Sequence, residues 1–512
     1  AYTVKEIRGS QGGITYSSAI YEVVITVTDD KEGKLTAVMT MKKAIDDNGE
    51  ALQEKPQADK AVFQNTYNSR EKGISFIVHK TYSNATGSDQ LTDNQFQFQL
   101  EAVTEGAPMP ENTKDGKSIA PSTPGGRVDF PNTTFDTDDQ GETFVYKVSE
   151  VIPKGAENGT LNGTTYDRNA YYIQVAVTAE GGSGADVNTE IKYYRDAACK
   201  DEITPDSGDL YQAEQGVYRL WFKNSYTATP ATVSVKGSKT LDGRDMKAGE
   251  FGFTLEGADG TTRNAMKDRS ILGATNGKLT AAASDAKDGS AGSFVFSDLT
   301  FTKVGTYTFN VKETIPDGTQ NNTLNGVTYD INETTVTVRV TDKDADGNKT
   351  GQLTATVSYE NNRHDTTKLA QFINEYAESG SAKIEGTKNL AGRDFKDGDS
   401  FTFTVTPKDE APAPKDKDGK DISEVTITPD SGASAKIDFG TVNFNQAEQS
   451  YIYELKEKQP EGEKKGIEYD TTTYTLTLTA KANSPMNGKL TIEQTLKAGD
   501  KDADQIVWNN QY

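Results

Sequence analysis

Along the chain, large apolar residues recur at every second position in short runs separated by turns rich in Gly, Asn and Asp. This is the period of strands with one buried face. One run, FVYKVSE at residues 144–150, returns as YTFNVKE at 307–313, as YIYELKE at 451–457, and shortened as YTVKE at 2–6. Counting by twos through Phe144, Tyr146 and Val148 arrives at Glu150, so the alternation aims a carboxylate at the core. A buried, unpaired carboxylate is costly. Its return in register predicts that something in the core needs it.

After each of these runs comes a Gly-led turn, a tyrosine (Tyr16, Tyr166, Tyr329 or Tyr469) and a strongly alternating strand, as in GTTYDRNAYYIQVAVTA from Gly163. Each unit closes on a second signature: AVFQNTY, LWFKNSY, AQFINEY and IVWNNQY, ending at Tyr67, Tyr226, Tyr376 and Tyr512. Parity places Asn224 on one face with Leu220, Phe222 and Tyr226. It places Asn374 with Ala370 and Phe372, and Asn510 with Ile506, Trp508 and Tyr512. The openings GSKTLDGRDMKAG and GTKNLAGRDFKDG aim Lys239 and Lys388 inward with Val235 and Ile384. GISFIVHKTY does the same for Lys80, with Phe76 and Val78, though without the GRD-x-K-x-G run that follows the other two.

Strands at this spacing with turn chemistry between them predict an all-β chain of tandem antiparallel sandwiches. The boundaries read as a partial repeat over 1–70 and complete repeats over 71–226, 227–376 and 377–512. Linkers as short as TATPAT favour a stiff elongated rod over flexibly strung beads.

Composition narrows the function. With 77 Asp+Glu against 55 Lys+Arg, the net charge of −22 argues against phosphate-backbone binding. One cysteine, Cys199, permits no internal disulfide, and with two histidines Cys/His zinc sites lack ligands, so neither metal nor cofactor is expected. A Ser-His-Asp apparatus would have to use His79 or His364, and both read as exposed polar residues. DKDADGNKTG from Asp342 begins like a calcium loop, but Leu353 stands where a bidentate Glu is required, so a hairpin turn is expected. No signal peptide, apolar span of about 20 residues or C-terminal anchor is visible. The chain starts inside a repeat, so targeting signals are uninformative.

Each complete repeat thus offers an inward Lys, an inward Glu and an inward Asn. Burial drives an amine and a carboxyl toward their neutral forms. A neutral amine is a nucleophile, and the Asn amide is an acyl donor. A protonated Glu bonded to the Asn oxygen would polarise that carbonyl and carry protons as ammonia leaves. The product would be an internal Lys–Asn isopeptide bond.

At this point the chain resembles a known family. The K-T-L-x-G-R-D opening, the Y-x-V-x-E strand, the G-x-x-Y-D turn and the F-x-N-x-Y ending resemble the pilin isopeptide-linkage repeats of Gram-positive surface proteins. Those are Ig-like sandwiches of the inverse IgG or Cna type, related to the streptococcal major pilin and to collagen-adhesin stalk domains. The resemblance covers essentially the whole chain. It implies the triads Lys80–Glu150–Asn224, Lys239–Glu313–Asn374 and Lys388–Glu457–Asn510, acting as nucleophile, proton shuttle and acyl donor. In the first repeat Glu6 and Asn65 are kept, while the lysine strand would lie upstream of residue 1. The implied protein is an extracellular, wall-attached stalk of an adhesin or pilin, with no catalysis beyond one self-modification per site. A polymerised pilus shaft is one alternative. Another is a region binding host matrix protein or glycan through loops near residues 101–127, and a third is an accessory sandwich of a secreted hydrolase.

Overall fold

In a computed structural model of the chain, all residues are described except 11–12, 68–69, 180–186 and 463–465. The fold is all-β, and the one α-helix among the described residues is the short Gly260–Lys267. Two turns of helix are too brief for a readable 3.6 period, so alternation gave no sign of it. The chain divides into two compact units: residues 1–230 with 302–304 and 341–353, and residues 231–301, 305–340 and 354–512.

In the first unit, residues 72–226 form a sandwich. In one sheet Ile77–Asn84 lies between Arg127–Asp129, antiparallel, and Val217–Tyr226, parallel. The facing sheet runs in the order Val187–Tyr194, Ala170–Ala179, Thr143–Glu150, Gln97–Ala102, Lys117–Pro121, antiparallel throughout. Val78, Phe98, Tyr146, Val148, Val175 and Phe222 fill the space between them, fully buried. The parallel pairing of first and last strands matters most, because it sets Lys80 opposite Phe222 and Tyr82 opposite Asn224.

Residues 1–67 form less. Tyr2–Lys5, Ile20–Asp29 and Leu35–Ile45 make a three-stranded sheet, and Ile14–Thr15 pairs with Thr66–Tyr67. Tyr21 and Val23 are buried, but Ile25 and Val27 on the same face are exposed. The end of a hairpin, residues 341–353, completes this unit. There the Thr229 N–H donates to the Gly351 carbonyl at 2.9 Å and the Leu353 N–H to the Thr229 carbonyl at 2.8 Å. Gly351, at φ +74°, approaches so closely that a Cβ on it would lie 2.5 Å from the Gly163 nitrogen.

The second unit contains two further sandwiches of the same plan. Lys236–Asp242 lies between Ala291–Val295 and the parallel strand Ala370–Tyr376, facing a sheet with Gly252–Gly257, Gly305–Glu313 and Glu333–Lys343 in order. Gly380–Ala391 lies between Ser434–Phe444 and the parallel strand Val507–Gln511, facing Phe401–Lys408, Ser450–Glu457, Thr473–Ala482 and Leu490–Ala498. The first-to-last register is the same as before: Lys239 opposite Phe372, and Lys388 opposite Trp508. Where these two sandwiches meet, the Ser379 N–H donates to the Gly488 carbonyl at 3.0 Å and the Leu490 N–H to the Ser379 carbonyl at 2.9 Å.

Three expectations need correction or detail. His79 is buried, 7% exposed, with its ring stacked on Tyr211 at 3.4 Å; a tertiary contact between distant strands covers it. Tyr512, read as inward, is 51% exposed. The Asp342 loop is a closed hairpin turn in which the Asp344 carboxylate accepts the N–H groups of Asp346 and Asn348.

Candidate cross-linking sites

Each glutamate strand ends with its carboxylate between the first and last strands of the opposite sheet. Lys80, Glu150 and Asn224 are 1%, 4% and 3% exposed. Lys80 Nζ donates to Glu150 Oε2 at 2.7 Å, and Asn224 Nδ2 donates to Glu150 Oε1 at 2.6 Å. The same wiring recurs for Lys388 and Asn510 on Glu457, at 2.8 Å and 2.9 Å. At the third site Asn374 Nδ2 donates to Glu313 Oε1 at 2.8 Å. Lys239 Nζ approaches Glu313 Oε2 at 3.3 Å, an ion-pair contact whose direction leaves both atoms without a hydrogen bond. In every site the lysine ammonium also lies over a phenylalanine ring: Phe96 at 4.8 Å, Phe251 at 5.0 Å and Phe401 at 5.2 Å.

The asparagine oxygen is not on the glutamate, contrary to expectation. Backbone N–H groups of Asp167, Asp330 and Asp470 donate to Asn224, Asn374 and Asn510 Oδ1 at 2.7, 2.8 and 2.8 Å. Only an oxygen can accept from an N–H, so the amide's orientation is set: its nitrogen faces the glutamate. The same aspartates accept, through Oδ2, the N–H of the residue just before each asparagine: Lys223 at 2.8 Å, Ile373 at 3.0 Å and Asn509 at 2.8 Å. Sequence reasoning quoted this aspartate in the G-x-x-Y-D turn and gave it no role. Its recurrence beside the tyrosine in all three complete repeats was the available signal.

Burial is the largest influence on all six ionisable groups. It pushes the Lys80, Lys239 and Lys388 ammonium groups down, with the glutamate partner opposing. It pushes Glu150, Glu313 and Glu457 up, with the lysine opposing. Both trends favour a neutral amine beside a neutral acid over a buried ion pair. Each site therefore holds a lysine nitrogen and an amide nitrogen against one carboxyl, with the amide oxygen on a fixed backbone N–H.

Residues 1–67 carry part of the same set. Asn65 Nδ2 donates to Glu6 Oε1 at 2.8 Å, and the Ser17 N–H donates to Asn65 Oδ1 at 2.7 Å. Among the described residues no cluster of His, Cys, Asp and Glu could hold a metal, and no helix is long and apolar enough to cross a membrane.

Repeated sandwiches with an amine, an acid and an amide packed into each complete core define a structural class of β protein. The family model described as "FctA: Spy0128-like isopeptide containing domain" matches residues 1–68, 76–227, 235–377 and 384–512, and the chain belongs to that family. Among solved structures, the chain is similar to the T-13 major pilin of Streptococcus pyogenes, at 19% identity over 56% of this chain and 99% of that one, with a TM-score of 0.22. It is similar also to the pilus adhesin SpaC of Lactobacillus rhamnosus GG, at 9% identity over 98% and 55%, TM-score 0.15. A third is BcpA, the major pilin subunit of Bacillus cereus, at 11% identity over 86% and 99%, TM-score 0.13. No curated protein matches. The four matches make the chain a tandem array of isopeptide-containing domains.

Proposed function

We propose that each complete repeat staples itself with an isopeptide bond: Lys80 to Asn224 under Glu150, Lys239 to Asn374 under Glu313, and Lys388 to Asn510 under Glu457. The neutral lysine nitrogen attacks the asparagine Cγ. The new Nζ–Cγ bond forms, the Cγ–Nδ2 bond breaks, and one ammonia leaves. The glutamic acid protonates the departing nitrogen and takes a proton back from the lysine nitrogen, ending as it began. Charge developing on Oδ1 is met by the N–H of Asp167, Asp330 or Asp470. Contact within one core supplies the effective concentration that an unactivated amide requires. Each site turns over once, so the chemistry is self-modification.

The observation that carries this reading is the Lys–Glu–Asn wiring, present three times with the same oxygen assigned to the same partner. With domains bounded near residues 70, 226 and 376, each bond ties a domain's first strand to its last. A pull along the chain is then borne by a covalent link, as suits a wall-attached stalk. Intact mass under denaturing conditions tests it. The chain is expected to be light by three ammonia molecules, with one restored by each of Glu150→Ala, Glu313→Ala and Glu457→Ala. A full unmodified mass would overturn the reading.

A further inference from the structure

The outer face of one sheet in the second repeat differs from its counterparts. Along Val217–Tyr226 the buried Leu220, Phe222 and Asn224 alternate with Arg219, Trp221 and Lys223 on the solvent side. Counted back from the asparagine, the matching positions are Leu369, Gln371 and Ile373 in the third repeat and Gln505, Val507 and Asn509 in the fourth, with neither a ring nor a charge among them. The connection into this strand is also longer in the second repeat: residues 195–216, against 361–369 and 499–506. It contains Leu210–Glu214, which pairs with the start of the last strand, whereas the short strands in the other two connections pair with the strand before them.

That added strand builds a rigid aromatic surface. Tyr211 stands opposite Arg219 in register, with its ring stacked on the buried His79 at 3.4 Å and set edge-on to Trp221 at 5.9 Å. Trp221 is fixed in turn. Its Nε1–H donates to Thr81 Oγ1 at 3.0 Å, and Lys223 Nζ lies over the ring at 3.9 Å while donating to the Gly208 carbonyl at 2.9 Å. Guanidinium groups on adjoining segments carry counter-ions: Arg127 Nε donates to Asp129 at 2.5 Å and Arg195 Nη1 to Asp201 at 2.9 Å. Arg219 is half-buried and has no hydrogen bond or ion pair among the described residues, in a chain of net charge −22. A guanidinium partly withdrawn from water is complemented by a carboxylate, which its planar fork takes in two parallel bonds.

We propose that this face binds a carboxylate-bearing sugar, with the carboxylate on Arg219 and the sugar ring on the exposed side of Tyr211, beside Trp221. A sugar ring offers a C–H-rich face to an aromatic plate and hydroxyl groups to the remaining N–H donors of Lys223. Rings already held by stacking lose little freedom when a ligand settles on them. A peptide strand would find no free main-chain groups here, because Val217–Tyr226 is paired on both sides. No isopeptide bond is needed for it.

Calorimetric titration of the full chain tests this, using a tetrasaccharide of alternating glucuronic acid and N-acetylglucosamine, sialyllactose, and neutral lactose. At least one of the two acidic sugars is expected to bind saturably, and lactose is not. Arg219→Gln should weaken that binding by about 10-fold or more, with an unaltered melting transition, and Arg219→Lys should weaken it by less. Trp221 is half-buried while Trp508, the other tryptophan, is fully buried, so the bound sugar should change the fluorescence of the chain but not of Trp221→Phe. Binding of neither acidic sugar would overturn the proposal. Equal binding of lactose, or binding untouched by both Arg219 variants, would do the same. If a polyglutamate peptide binds as tightly and competes, the occupant is an acidic peptide and the sugar assignment falls.

Discussion

Two partners that would each be expensive to bury alone share one carboxylate at every complete site. The lysine sits on Oε2 and the asparagine nitrogen on Oε1, so the glutamate sets the geometry of both. The aspartate behind each asparagine is the other positioning residue, since it fixes both the amide oxygen and the preceding backbone N–H. Replacing Asp330 by Ala should therefore slow closure at Asn374 alone, by about 100-fold if the amide shifts by about an ångström. Ammonia loss followed by mass during cell-free synthesis would measure it, and an unchanged rate would remove the aspartate from the mechanism. His79 supplies a pH dependence of its own. Burial lowers its pKa from 6.5 to about 4, aided by the nearby Arg219 charge. The unfolded chain then takes up the proton first as pH falls. The contribution is whole above about 6.5 and is lost down to about 4. Melting of the repeat that holds His79 should fall across that window, and His79→Phe should flatten the profile.

Among the elements, the parallel pairing of first and last strands decides which side chains meet. One residue of slip would turn the lysine out of the core. The Gly-centred contact between the two sandwiches of the second unit is the second element-scale device. There Gly488, at positive φ in a hairpin, meets the turn led by Gly326, and the backbone pairs of Ser379 with Gly488 and Leu490 fix the approach. A Cβ on Gly326 would lie 2.5 Å from Gly488 Cα and from the Ala377 carbonyl oxygen. Gly488→Ala, at φ +74°, should accordingly cost about 1–3 kcal/mol. Calorimetry of the variant should show that loss while the ammonia deficit stays unchanged, because Glu457 and its partners are untouched.

For the whole molecule, each proposed bond closes a loop of more than about 100 residues, which by analogy with a disulfide removes roughly 5 kcal/mol of unfolded-chain freedom. Removing a glutamate also leaves the buried lysine and asparagine without their shared hydrogen-bond partner, a further cost of about 1–3 kcal/mol. Glu150→Ala, Glu313→Ala and Glu457→Ala should each lower one calorimetric transition and leave the others in place, since each site lies in its own core. A uniform shift of all transitions by any single variant would contradict that independence. Reductant should change none of them, because the one cysteine, Cys199, is free.

Much of this was legible from alternation. A period of two fixes which face a side chain takes, and all nine Lys, Glu and Asn residues of the complete sites are buried where parity aimed them. Repetition added the number of sites, because three copies share one pattern. What parity cannot carry is contact across the core. Which asparagine atom meets the glutamate depends on a backbone N–H in a different loop, and the cover over His79 comes from Tyr211 on a distant strand. Nor does alternation say how far along a strand a face is covered: Tyr21 and Val23 are buried, while Ile25 and Val27 on the same face lie exposed. Local chain geometry orients a residue, whereas only the packing of remote segments determines what it touches.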